Sequence, residues 1–261
     1  LVGYVVAKGN AADSSNGNHA AWEGERVNNW QLLYDQTYGT RSAEATDPTF
    51  NITGWNSSYT GEPIPASEMR EWVDETVARI QGLRPKRVLE IGCGTGLLLF
   101  RLAPTVEQYL AVDFSATALD QVAGVIRTRP DLAHVSLSRR LADDFHGFEP
   151  RSVDTVVINS VCQYFPSVEY FARVLEGAIE LIAPGGHLFV GDVRNLPLLV
   201  AYHASVQAAR AGTDVSGAEL AERIHAALER RVGRGPGRAR SGLRPADRPA
   251  GAREQPRREP A

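Results

Sequence analysis

The chain has 261 residues with 43% apolar content, enough to bury one substantial core. Its net charge of −3 is uneven: residues 231–261 hold nine Arg against Asp247, Glu254 and Glu259, a surplus of +6 that leaves −9 on the rest. An acidic body argues against nucleic acid as a partner, and no apolar run is long enough to span a bilayer, which argues against a membrane. Without a signal-peptide pattern the sequence predicts a soluble, cytoplasmic protein. The first residue is Leu, so the chain reads as a piece of a longer one. Cys93 and Cys162 read as reduced thiols near a ligand rather than a disulfide. The six histidines lack ligand spacing, so no metal is expected.

Leu1 to Ala7 is a strand-like run with nothing of its own to pair with, followed by an Asn-, Ser- and Gly-rich linker, Lys8 to His19. Trp22 to Tyr38 reads as a helix, with Trp30, Leu33, Tyr34 and Tyr38 at core-like spacing. Phe50 to Pro65 is a loop, punctuated by Gly and Pro among hydroxyl and amide side chains. In so polar a loop, Trp55, Asn56 and Tyr59 suit anchoring and orienting a ligand. Ser67 is placed to cap a helix whose Met69, Trp72, Val73, Val77 and Ile80 share one packing face, with Gly82 ending it.

Arg87 to Leu102 organises the rest. Val88, Leu89 and Ile91 fit a buried parallel strand, the chain turns through Gly92, Gly94 and Gly96, and Leu97 to Leu102 reads as a helix. Such glycines permit positive φ and let backbone approach a ligand, and the helix amino end offers N–H groups to an anion. The spacing is not G-x-G-x-x-G, so no diphosphate is implied. Tyr109 to Asp113 is a second buried strand ending in a carboxylate, about twenty residues after the turn, where doubly wound folds hold a ribose.

Val135 to Leu137 suits a third strand, followed by Leu141-Ala-Asp-Asp144, and Val153 to Ile158 a fourth, running into Asn159 to Tyr164. Ser167 is placed to cap a helix whose apolar face holds Tyr170, Phe171, Val174, Leu175, Ala178, Ile179 and Ile182. Pro184-Gly-Gly186 stops it, and His187 to Val190 is strand five. Leu196 to Ala211 and Ala218 to Arg230 read as helices. Residues 231–261, mostly Arg, Gly, Pro and Ala, cannot offset their chain entropy by burial and are expected to be disordered. Strands alternating with helices predict an α/β fold with its site along the carboxyl edge of a parallel sheet.

Four stretches carry a family resemblance: Glu90-Ile-Gly-Cys-Gly-Thr-Gly96 with the acid ending strand two, Asn159 to Ser167, Gly191-Asp-Val-Arg-Asn195, and Gly54-Trp-Asn-Ser-Ser-Tyr-Thr-Gly61. Together they resemble the N-methyltransferase domains of nonribosomal peptide synthetases, class I S-adenosylmethionine (SAM) enzymes inserted in an adenylation domain. The resemblance spans about residues 22 to 230. It implies a Rossmann-like three-layer α/β/α fold with a mostly parallel sheet. It also implies an order of adenylation-domain remnant and linker (1–21), helical lid region (22–86), SAM-binding core (87–230) and tail (231–261). The family continues into two further strands where the Arg-rich tail stands here. We attribute the tail to a shifted reading frame or truncated boundary, and expect an exposed fifth strand and low stability.

The resemblance implies roles as well. Gly92, Cys93 and Gly94 lie along the methionine moiety, Glu90 supports its ammonium, and Asp113 with Phe114 meets the ribose. Ala142 and Asp143 meet the adenine, Asn159 and Ser160 line the reacting centre, and Tyr34 lies over the cofactor. Trp55 and Asn56 are substrate contacts. Tyr59, Gln163, Tyr164, Asp192, Arg194 and His203 are the candidates for orientation and proton removal. The implied acceptor is the α-amino group of an aminoacyl thioester on a peptidyl carrier protein, beside a flanking adenylation domain. The alternatives are O-, S- or C-methylation of a related intermediate, or an impaired SAM-binding module.

Overall fold

The computed structural model describes residues 47–212 and 215–232. The expectations for Leu1 to Ala7, the linker, the Trp22 to Tyr38 helix with Tyr34, and the tail beyond 232 lie outside the described residues. In chain order come α1 (Ala66–Gln81), β1 (Arg87–Ile91), α2 (Leu99–Leu102), β2 (Gln108–Asp113), α3 (Ala116–Ile126), β3 (Val135–Arg139), β4 (Val153–Asn159), α4 (Val168–Leu181), β5 (Ile182–Gly191), α5 (Leu199–Arg210) and α6 (Gly217–Val232). The five strands form one parallel sheet in the order β3-β2-β1-β4-β5.

The apolar runs explain the sheet. β1 and β4 are buried along nearly their whole lengths, as strands covered on both faces must be. Alternate residues feed two cores. Val88, Tyr109, Ala111 and Val157 pack with Met69, Val73 and Ile80 of α1, Phe100 of α2 and Val122 of α3. Leu89, Ile91, Val112, Val156 and Ile158 pack with Tyr170, Val174 and Ala178 of α4. Strand order reverses between β1 and its neighbours β2 and β4, which opens a crevice at their carboxyl ends. No helix among the described residues is long and apolar enough to cross a membrane.

Local details depart from the expectations in five places. Pro65, not Ser67, sits at the α1 N-cap, and no side chain caps it. Gly82 stays right-handed, and Arg84 takes the left-handed turn instead, at φ 56°. The helix after the glycine turn is only four residues, giving way to a 3-10 turn at Ala103–Thr105, because Pro104 has no N–H to continue it. A single helical turn offers no N-terminal anion site. Strand five begins at Ile182 rather than His187: Val153 pairs Ile182 but Thr155 pairs His187, so Pro184-Gly-Gly186 forms a bulge within the strand. Ile179 points to solvent, 59% exposed, and leaves the α4 packing face to Leu181. Ser167 caps α4 as expected, accepting from the Tyr170 N–H at 3.0 Å.

Candidate active site at the carboxyl ends of the strands

Gly92, Gly94 and Gly96 all take positive φ (79°, 51° and 83°), so the turn after β1 requires glycine. Gly92 serves packing more than ligand approach: a Cβ there would lie 2.4 Å from Val161 Cγ2, so the space is filled by the β4 turn. The turn is held from β2. Asp113 accepts from the Gly94 N–H and from the Ser115 N–H, each at 2.8 Å, joining the two loops at the sheet edge. Ser115 in turn caps α3 by accepting from the Ala118 N–H. A carboxylate has about four lone-pair positions, so it can hold both loops and still accept from a ligand hydroxyl.

Glu90 is buried on β1, and its Oε2 accepts from the Tyr109 hydroxyl at 2.9 Å. Burial pushes the Glu90 carboxyl up to about 7; the Tyr109 bond pulls it down and the Asp113 charge adds to the rise. Burial raises the Cys93 thiol well above its ordinary value, with Asp113 and Glu90 adding to it, so Cys93 is a neutral wall of the site.

On the β3 side, Arg140 N–H donates to the Asp113 carbonyl and Arg139 Nε to the Phe114 carbonyl, fixing the chain beyond β2. The Asp143 carboxylate faces α4, 3.4 Å from Arg173 Nη2 and hydrogen-bonded by Tyr170. Ala142 stands beside it in the same turn, partly buried against the α4 core. Asp144 closes that turn locally, its Oδ1 accepting from the His146 N–H.

At the ends of β4 and β5 the expected residues do meet. Asn159 Nδ2 donates to Ser160 Oγ (3.2 Å), and Ser160 Oγ donates to Asp192 Oδ2 (2.8 Å). Gln163 Nε2 donates to the Ser160 carbonyl at 3.0 Å. Ser160 and Asp192 both take left-handed φ, 58° and 56°, a strained conformation for non-glycine residues that gathers at functional sites. Cys162 is raised by burial and by the Asp192 charge. Tyr164 lies exposed in the 3-10 turn Cys162–Tyr164.

The third group lies on α5. The Arg194 guanidinium stacks 4.8 Å over the Tyr202 ring, which meets the buried His203 edge-on at 5.2 Å. The Tyr59 hydroxyl and Ser205 Oγ are 3.0 Å apart, and Arg210 Nε donates to the Tyr59 carbonyl, so α5 carries the tip of the 50–65 loop. The loop's base is tied to the glycine turn: Thr95 Oγ1 donates to the Asn51 carbonyl at 2.8 Å, and Phe50 lies between Arg70 and Arg101. The Trp55 and Trp72 ring centroids lie 4.7 Å apart with the planes tilted by 51°, and Trp55 packs partly buried against the core. Asn56 is exposed and pairs with Pro63 in an isolated bridge.

Sequence reasoning missed Tyr109, Ser115 and Val161. Tyr109 carried a signal: a tyrosine opening a buried strand needs a partner for its hydroxyl, and Glu90 is the buried acceptor on the neighbouring strand. The other two are visible only once the loops are folded together.

A methyltransferase-domain family matches residues 89–188. Chondramide synthase cmdD of Chondromyces crocatus is 49% identical over 225 residues, which is 86% of this chain and 6% of that protein. A probable nonribosomal peptide synthetase of Salinispora arenicola, CymA, is 41% identical over 79% of this chain and 2% of its own length. The beauvericin synthetase of Beauveria bassiana is 36% identical over 76% of this chain and 6% of its own. The solved N-methyltransferase NodS of Bradyrhizobium japonicum, in complex with S-adenosylhomocysteine, is a distant likeness (TM-score 0.47, 18% identity, 61% of this chain and 71% of that one).

The parallel sheet with its glycine turn at the carboxyl edge, together with the match of residues 89–188 to the methyltransferase-domain family, defines a SAM-dependent methyltransferase domain. In sequence the chain is similar to segments of nonribosomal peptide synthetases, and it spans 2% to 6% of the length of the relatives described above. The residues present fit the cofactor: two buried carboxylates converge on a left-handed glycine turn, which suits a cationic amino group and a vicinal diol.

Proposed function

We propose that this domain methylates the α-amino group of an aminoacyl thioester held on a peptidyl carrier protein, in the cytoplasm and alongside an adenylation domain. SAM supplies an electrophilic methyl group, which leaves its sulfonium by in-line displacement. The protein's own work is then positioning and water exclusion. In this reading Glu90 meets the methionine ammonium and Asp113 the ribose diol, with Phe114 beside it. Ala142 and Asp143 border the adenine. The wall formed by Gly92, Cys93 and Gly94 excludes water from the donor.

The observation that carries the acceptor side is the hydrogen-bonded run Asn159–Ser160–Asp192, held in left-handed backbone across the ends of β4 and β5. An α-amine has a reference pKa near 8, so about a tenth is neutral at pH 7 and a carboxylate-strength acceptor is enough. Asp192 takes the proton from the attacking amine, directly or through Ser160 Oγ. Asn159 and Gln163 hold that pair in place. Arg194, His203, Tyr59, Tyr164 and Asn56 border the acceptor on the α5 side.

The test is incubation with SAM and a carrier-bound aminoacyl thioester, followed by mass spectrometry of the released amino acid. A methyl on the α-nitrogen is the expected result. A methyl on a side chain overturns the N assignment, and binding of the cofactor without turnover favours an impaired module.

A further inference from the structure

Glu90 and Tyr109 form a buried polar pair at the foot of the site, with Glu90 3% and Tyr109 0% exposed. Glu90 and Tyr109 lie on adjacent parallel strands, with Val88 opposite Tyr109 and Glu90 opposite Ala111. Val88, Tyr109 and Ala111 face the same core, which places Glu90 and Asp113 on that face too by strand alternation. Tyr109 is wholly buried, so its hydroxyl has to find an acceptor within the protein, and it donates to Glu90 Oε2. The titratable groups facing Glu90 are Tyr109 and Asp113 from β2 and Cys93 from the glycine turn. None is a cation. In the cofactor-free protein, an ionised Glu90 therefore rests on one neutral donor beside a second carboxylate.

We propose that Tyr109 is a positioning residue for the cofactor, holding the Glu90 carboxylate at the foot of the glycine turn, and that cofactor binding is coupled to release of the Glu90 proton to solvent. This rests on the assignment of Glu90 to the methionine ammonium made above. A protonated carboxyl is a poor partner for an ammonium; a carboxylate oriented by a phenol is a good one. The buried proton follows from the geometry, since burial, with the Asp113 charge adding to it, outweighs the Tyr109 bond and raises Glu90. The cation that enters with the ligand replaces that proton, so charge in the enclosed site stays balanced.

The experiment uses the full chain and S-adenosylhomocysteine, which keeps the methionine ammonium. Its Kd is measured by calorimetry from pH 5.5 to 7.0, where about nine-tenths or more of an α-amine keeps its charge, in two buffers of different ionisation enthalpy. Affinity is expected to rise at least tenfold across that range, with close to one proton released per ligand bound at the acid end. Tyr109→Phe removes the bond that favours the carboxylate, so the midpoint moves to higher pH and affinity at pH 7 falls about tenfold. Glu90→Gln still accepts the phenol's bond, and is expected to fold, bind weakly, and lose both the pH dependence and the proton release. That variant decides the matter even where Tyr109→Phe does not fold. A pH-independent Kd in the unaltered chain, or a Glu90→Gln profile matching it, overturns the proposal and leaves the methylation reading standing. Absence of binding at every pH overturns both. Thermal melting of the cofactor-free chain against pH, compared with Glu90→Gln, reads the same proton without any ligand.

Discussion

The two halves of the site are built differently. At the ends of β1 and β2 the functional groups are sunk in the core: Glu90 is 3% exposed and Asp113 7%, and each is tied to groups on the neighbouring strand or loop. At the ends of β4 and β5, Asp192 and Arg194 are exposed, and the chain beyond carries Val193, Leu196, Leu198 and Val200 at 51% to 64% exposure. The contrast fits the two ligands. One half receives the same cofactor at every turnover and can be prebuilt. The other half, in the proposed reading, admits an acceptor delivered on a carrier, and its groups stand at the surface, with strain at Ser160 and Asp192 in place of burial.

If that division holds, changes in the first half strike cofactor binding and stability, and changes in the second strike turnover. Asp113→Ala is the severest test. It removes a carboxylate that holds two backbone N–H groups, with charge-assisted bonds worth about 1.5–3 kcal/mol each. S-adenosylhomocysteine affinity is expected to fall at least about 100-fold by calorimetry, with a lower melting temperature. Gly92→Ala combines a left-handed residue with a Cβ pressed on Val161, a loss of about 3 kcal/mol or roughly 6–12 °C in melting temperature. Adding Val161→Ala should recover the packing share of that loss but not the backbone share.

Glu90 yields a pH prediction whose sign is definite. Its carboxyl is raised from 4.5 to about 7 in the folded chain, so the stability it contributes is complete below pH 4.5 and is lost as pH rises through 7. Between pH 5.5 and 7.5 the cofactor-free protein should lose about 2 kcal/mol, seen as a falling melting temperature that Glu90→Gln does not share. In the second half, Asp192→Asn is expected to lower kcat about 10-fold with unchanged S-adenosylhomocysteine affinity, the inverse of Asp113→Ala. Equal losses in both measurements would erase the division. The smallest effect belongs to Tyr59→Phe, whose exposed hydroxyl contact with Ser205 is worth about 1 kcal/mol or less; at most a few-fold change in KM is expected.

Legibility followed range. The apolar runs of β1, β2 and β4, the Ser167 cap and the acid ending β2 were readable because each rests on residues within a few positions of one another. The β5 boundary was not, since Pro184-Gly-Gly186 looks like a terminator locally and becomes a bulge only because β4 offers a partner beyond it. The packing of Trp55 was not legible either: its polar surroundings in sequence point to a ligand, and only the fold brings Trp72 of α1 against it.

The sequence by itself determined the alternating α/β order, the glycine turn, and which strand ends carry carboxylates, because periodicity and glycine's backbone freedom are local properties. Only the tertiary structure decided what those groups touch: that Tyr109 grips Glu90, that Asp113 holds the turn, and that Ser160 reaches Asp192. These are pairings of residues 19, 19 and 32 positions apart. They depend on strand register, which is set by burial of whole faces and not by any residue's own preference.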